Sequence, residues 1–115
     1  MYSVLVVEDD PAAQQLVTTA FAGEDDFFIV ALVKTAEAAL AVADVEHIDV
    51  VILDDRLEGK RRGASIVADL RKLQPHASII FWSAYDTGHG TTEADARISK
   101  DEPVELVDAA RRLVS

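Results

Sequence analysis

Four runs of β-branched and aromatic residues, Ser3 to Val7, Phe27 to Val33, Ile48 to Leu53 and Ser78 to Trp82, recur with helical patterns between them. In the first, third and fourth the apolar residues are consecutive rather than alternate: Val4, Leu5, Val6, Val7; Val50, Val51, Ile52, Leu53; Ile79, Ile80, Phe81, Trp82. A strand apolar on both faces must be covered on both, as central strands of a parallel sheet are. The intervening segments Pro11 to Ala22, Thr35 to Val45 and Ala64 to Leu73 predict helices. In the first of these, Leu16, Thr19, Ala20 and Gly23 follow an i, i+3, i+4, i+7 pattern, with Asp10 placed to cap the helix and Pro11 at its first position. Thr35, ahead of Ala36, Glu37 and Ala38, marks another capped start. Strands alternating with helices predict an α/β sheet with right-handed crossovers.

The last third is less regular. Asp86 to Asp95 has one alanine as its only apolar residue, so a loop with at most one helical turn is expected. A short fifth strand, Ala96 to Ser99, and a closing helix from about Pro103 to Val114 complete the pattern. That helix carries Val104, Val107, Ala110 and Val114 on one side, with Arg111 and Arg112 suited to its C-terminal dipole.

At 115 residues, half of them hydrophobic and without internal repeats, the chain predicts a single domain over 1–115 with a real core. No apolar run approaches the ~20 residues that cross a bilayer, and Met1 leads into no basic n-region, so a cytoplasmic protein is expected. A formal net charge of −10 opposes binding to nucleic acid and to anionic membrane, since both are polyanions. With no cysteine there is no disulfide, thiolate metal site or cysteine nucleophile. Protein and metal partners remain.

In doubly wound sheets, ligands sit outside the carboxyl ends of the strands. Glu8, Asp9 and Asp10 follow the first strand here, Asp54 and Asp55 the third, and Ser83 the fourth. If the first and third strands are neighbours, up to five carboxylates converge. Like charges 4 Å apart repel by ~4 kcal/mol at an effective dielectric of 20, so such a cluster requires a cation or raised pKa values. Oxygen donors with no histidine nearby in sequence suit Mg²⁺ better than zinc. An aspartate beside Mg²⁺ can then act as a nucleophile toward a phosphoryl group. Asp10 reads as a helix cap, and Trp82, Phe81 and Phe28 as core.

At these residues the chain resembles the receiver domain of two-component response regulators, of the chemotaxis-regulator type. The motifs are V-L-V-V-E-D-D-P at 4–11, D-V-V-I-L-D-D-R-L at 49–57, I-I-F-W-S-A at 79–84, and Lys100 before the last helix, which together span nearly the whole chain. The resemblance implies a flavodoxin-like, doubly wound sheet of five parallel strands in the order 2-1-3-4-5, with helices on both faces. It implies Asp54 as phosphoacceptor, with Asp9 and Asp54 holding Mg²⁺ directly, Glu8 largely through water, and the backbone carbonyl of Arg56 completing the protein's share. Ser83 stands where the family has Thr or Ser, its hydroxyl donating to the phosphoryl group, and Lys100 supplies a cation to the same oxygens. The implied partners are a histidine kinase or phosphotransfer protein and an unnamed downstream protein. The implied reaction is in-line transfer by positioning and charge neutralisation. The chain is then not an enzyme beyond self-catalysed phosphorylation and dephosphorylation of its aspartate.

The chain also departs from that family. Asp101 follows Lys100 where a proline is usual; a cis bond before a non-proline costs ~2.5–4 kcal/mol, so a trans bond and an altered loop are expected. Arg97 replaces the aromatic residue that usually moves inward on phosphorylation, and arginine cannot be buried cheaply in that role. The segment between Ser83 and Lys100 is short and lacks an apolar stripe, so the family's helix there is expected to be short or missing. That damages the family's usual output face, and a phosphorylation-independent interaction module is the alternative function. A haloacid-dehalogenase-like phosphatase would need D-x-D after its first strand, which neither acidic run has. A flavodoxin-like flavin binder would need a phosphate-cradling turn that is not acidic.

Overall fold

The computed structural model describes residues 1–54, 63–83 and 94–114. Its elements follow the order β1 (Tyr2–Val7), α1 (Pro11–Ala22), β2 (Phe27–Val33), α2 (Ala36–Val45), β3 (Val50–Asp54), α3 (Gly63–Leu73), β4 (Ser78–Ser83), β5 (Ala96–Ser99) and α4 (Val104–Val114). The strands form one parallel sheet in the order β2-β1-β3-β4-β5, with β1 between β2 and β3 as the convergence of carboxylates requires. The expected doubly wound α/β architecture is present. The segment in which the family's helix between β4 and β5 was expected to be short or missing, 84–93, lies outside the described residues, among which there are four helices.

Two apolar layers sandwich the sheet. On one face Leu5, Val7, Val51, Leu53, Ile79 and Phe81 pack with Ala36, Ala39, Ala43 of α2 and Ile66, Val67, Leu70 of α3. On the other, Val4, Val6, Val50, Ile52, Ile80 and Trp82 pack with Val17 and Phe21 of α1 and Leu106, Val107, Ala109 and Ala110 of α4. Each consecutive apolar run therefore serves both layers. Burying one such side chain stabilises by roughly 1.5–3 kcal/mol, which anchors the strand ends where the polar residues begin.

The helix starts match their capping residues. Ala12 donates to the Asp10 carboxylate at 3.2 Å, with Pro11 in the first turn, and Ala38 donates to the Thr35 hydroxyl at 3.1 Å. The faces of the helices are another matter. In α1 the buried residues are Ala13, Val17 and Phe21, whereas Leu16, from the expected stripe, is 44% exposed. Two stripes are offset by one position, and packing selects the one that sets Phe21 edge-on to Phe27 at 5.3 Å. Phe28, expected in the core, is 42% exposed on β2, because the sheet ends there. In α4, Val107 and Ala110 are buried as expected, but Val104 is exposed and Leu106 and Ala109 widen the buried face instead. β3 begins at Val50 rather than Ile48, since the Ile48 amide is taken by the Gln74 side chain at 3.2 Å.

Candidate functional site: a buried carboxylate cluster

β1 delivers Glu8 directly to the carboxyl edge of the sheet. The Glu8 amide donates to the Val33 carbonyl at 2.9 Å, one step beyond the strand, and the chain then turns into α1. That turn is closed by the residues it carries. The Gln14 side chain donates to the Glu8 carbonyl at 2.7 Å, and one Glu8 carboxylate oxygen accepts from the Asp10 amide at 3.0 Å. Glu8 is thereby held fully buried, with Asp9 partly exposed beside it. Gln14 went unnoticed in the sequence, and an amide side chain one turn into the helix is the signal that could have found it.

Asp54 is the last residue of β3 and Ser83 the last of β4, both about 96–97% buried, Asp54 at 4% and Ser83 at 3% exposure. Their strands pair in parallel, with Asp54 aligned on Trp82, so Ser83 stands one residue further along the same edge. Glu8, Asp9 and Asp54 each offer a carboxylate oxygen, and these atoms lie within 4.8 Å of one another. All donors are oxygen, which fits a hard divalent cation such as Mg²⁺ and not zinc or copper.

Lys100 reaches this cluster from β5. Its amide donates to the Ser83 carbonyl at 2.8 Å, which fixes the backbone beside the site. Its ammonium pairs with Glu8 and lies 3.4 Å from an Asp54 oxygen. Neither Asp101 nor Glu102, its neighbours in sequence, takes that charge. Burial disfavours the ammonium, but the hydrogen bond to Glu8 and the charges of Asp54 and Glu8 outweigh it and raise the Lys100 pKa above its usual value. Among the described residues one ammonium meets three carboxylates there, and removing such groups from water is costly unless they are compensated. The arrangement can hold a cation and then a tetrahedral oxyanion.

Arg97, opposite Phe81 in the β4–β5 register, is half-buried with its guanidinium 5.7 Å from the Phe81 ring centroid. The arginine thus stays partly in water and rests on an aromatic face, as its burial cost requires. The carbonyl of Arg56, the neighbouring Asp55 and the basic run Lys60, Arg61, Arg62 lie outside the described residues. Among the described residues, no helix is long and apolar enough to cross a membrane.

A family model described as "Response regulator receiver domain" matches residues 4–110. The transcriptional regulatory protein MalR of Bacillus subtilis is 31% identical over 84 residues, covering 73% of this chain and 35% of MalR. The chain thus spans about a third of that relative's length. Among solved structures, the response regulator protein TrrA of Thermotoga maritima, in complex with Mg²⁺ and BeF, is 27% identical with a TM-score of 0.86, covering 98% of this chain and 99% of that one. A structure of histidine kinase ThkA in complex with TrrA matches at 28% identity and a TM-score of 0.86, with 100% of both chains covered.

Proposed function

The chain belongs to the response regulator receiver family, and from that premise we propose that Asp54 accepts a phosphoryl group from a histidine kinase or phosphotransfer protein, in a Mg²⁺-dependent reaction. The modified domain then binds another protein differently. The observation that carries this is the convergence of Glu8, Asp9 and Asp54 within 4.8 Å, with Lys100 as their cation. Glu8, Asp9, Asp54 and the Arg56 carbonyl would hold Mg²⁺, which supplies charge neutralisation to the phosphoryl oxygens when bound.

The chain's own residues do the rest. An Asp54 oxygen attacks phosphorus in line; the new oxygen–phosphorus bond forms as the donor's nitrogen–phosphorus bond breaks, and the donor imidazole departs with its electron pair. Ser83 donates its hydroxyl to a phosphoryl oxygen. Lys100 exchanges carboxylate partners for phosphoryl oxygens without losing a counter-charge. Lys100 need not travel far, because it already lies 3.4 Å from Asp54. For a protein donor, a groove of about 430 Å³ lies between α1 and α4, its apolar floor made by Leu16, Ala20, Pro103, Val104 and Val107 with Glu24 and Asp108 among its polar lining. We assign it to the donor, TrrA being a relative that assembles with a histidine kinase.

Beryllofluoride with Mg²⁺ mimics the aspartyl phosphate without the unknown donor. Trp82 precedes Ser83 and is fully buried beside the site, so its fluorescence should respond. A saturable change that vanishes in Asp54→Asn is expected. No change at high Mg²⁺ would favour the phosphorylation-independent interaction module. Leu16→Asp should slow transfer from a protein donor and leave the beryllofluoride response intact.

A further inference from the structure

The two edges of the sheet are built differently. β5 is four residues long and contains Arg97, which are common safeguards of an open edge. β2, at the other edge, is seven residues of F-F-I-V-A-L-V with no charge and no proline. Phe28 and Leu32 on it are each 42% exposed. Such a strand offers unpaired backbone groups and apolar side chains together, and this is the combination that recruits another strand.

Its flanks indicate which strand. Asp25 and Asp26 precede β2 and Lys34 follows it, with Asp25 and Lys34 both exposed. Two copies laid antiparallel about Val30 set Asp26 of each, with the exposed Asp25 next to it, opposite Lys34 of the other, so the edge is complementary to itself. A parallel arrangement would instead set acid against acid. We propose that β2 is a homodimerisation edge, at which a second copy of this chain adds its own β2 antiparallel and joins two five-stranded sheets. The contact is isologous and closes at two, because β5 does not offer a second such edge.

The register of β2 on β1 skips Val30, a bulge that splits the edge into Phe27–Ile29 and Ala31–Val33. Pairing therefore forms as two short ladders either side of the axis, and the dimer is weak. Each copy also carries −10, which moderate salt screens beyond ~8 Å while leaving the local Asp–Lys junctions in force.

Sedimentation velocity at near-physiological salt, from about 10 μM to about 1 mM, tests this in the range that suits so small a contact. A monomer–dimer equilibrium is expected, unchanged in Asp54→Asn, so that its failure and failure of the phosphoacceptor assignment are separable. Lys34→Glu should weaken dimerisation about tenfold, since it sets acid opposite acid at both junctions. Leu32→Lys, at an exposed position the fold tolerates, should abolish it. A monomer throughout the range, growth beyond the dimer, or a dimer indifferent to Leu32→Lys and Lys34→Glu would each overturn the proposal.

Discussion

Carboxylates gather at both ends of this sheet, and they are treated in opposite ways. At the amino ends, Asp49 receives the Ser3 amide at 2.8 Å and lies within hydrogen-bond reach of the Ser3 hydroxyl, while its other oxygen meets His47 at 2.8 Å. Nearby, Arg111 grips both oxygens of Asp26 at 2.9 and 3.1 Å and lies over the Phe27 ring. Asp49 and Asp26 each have their donors at hand. At the carboxyl ends, among the described residues, the Lys100 ammonium pairs with Glu8 and Asp54, with Asp9 beside them, although Glu8 and Asp54 are far more deeply buried than Asp26 or Asp49. A folded chain tolerates that excess where a ligand supplies the missing charge. The lesson is that an acid matched by its own donors braces the fold, and several acids crowded together at depth form a place for a cation.

The largest expected effect that tests the contrast is at Asp54. Asp54→Ala should weaken Mg²⁺ binding by more than about tenfold and abolish phosphorylation, read by titration and by mass, with the fold retained. Asp49→Ala, at the other end, should do the reverse. It leaves the buried Ser3 amide unpaired and should cost about 1–3 kcal/mol in denaturant unfolding while Mg²⁺ affinity stays unchanged. A loss of Mg²⁺ affinity in that variant would erase the distinction between the two ends.

Lys100→Ala sharpens it. Removing its ammonium should tighten Mg²⁺ roughly three- to tenfold, because less positive charge opposes the ion, while weakening beryllofluoride, which loses a partner. A weakening of both would mean that Lys100 merely holds the site together. The pH dependence is smaller. For Asp49, burial alone would raise the pKa, but hydrogen bonds from Ser3 and His47 outweigh it and hold the carboxyl below its usual 3.8. A lowered folded-state value means that its stabilisation is present above 3.8 and is lost as pH falls through the folded value. The stability gap between wild type and Asp49→Asn should accordingly close in acid. Arg111→Ala should matter least, as an exposed pair does, and its effect should shrink further with salt.

Much of this was legible residue by residue. Consecutive apolar runs such as Val50 to Leu53 can satisfy only a strand covered on both sides, and the caps Asp10 and Thr35 act within a few residues of themselves, so local chemistry was enough to place strands and helix starts. Glu8, Asp9, Asp54 and Ser83 stood out because polar residues at the ends of buried strands have few other places to go, while Lys100 was picked out by the resemblance to receiver domains. The helix faces were not legible in the same way. Leu16 and Val17 are both apolar and adjacent, and nothing in α1 alone says which will face Phe27. Nor could spacing reveal that Ser3, His47 and Asp49 form one cluster, since β1 and β3 meet only in the sheet.

The chain's own order of residues thus determined the alternation of elements, the strand-end positions of the acids and the self-complementary flanks of β2, all of which depend on neighbours in sequence. Tertiary packing selected which stripe of α1 and α4 is buried, exposed Phe28 at an edge, and turned Lys100 onto Glu8 and Asp54 rather than its sequence neighbours. Those outcomes depend on contacts between distant segments, whose energies exist only once the sheet has brought them together.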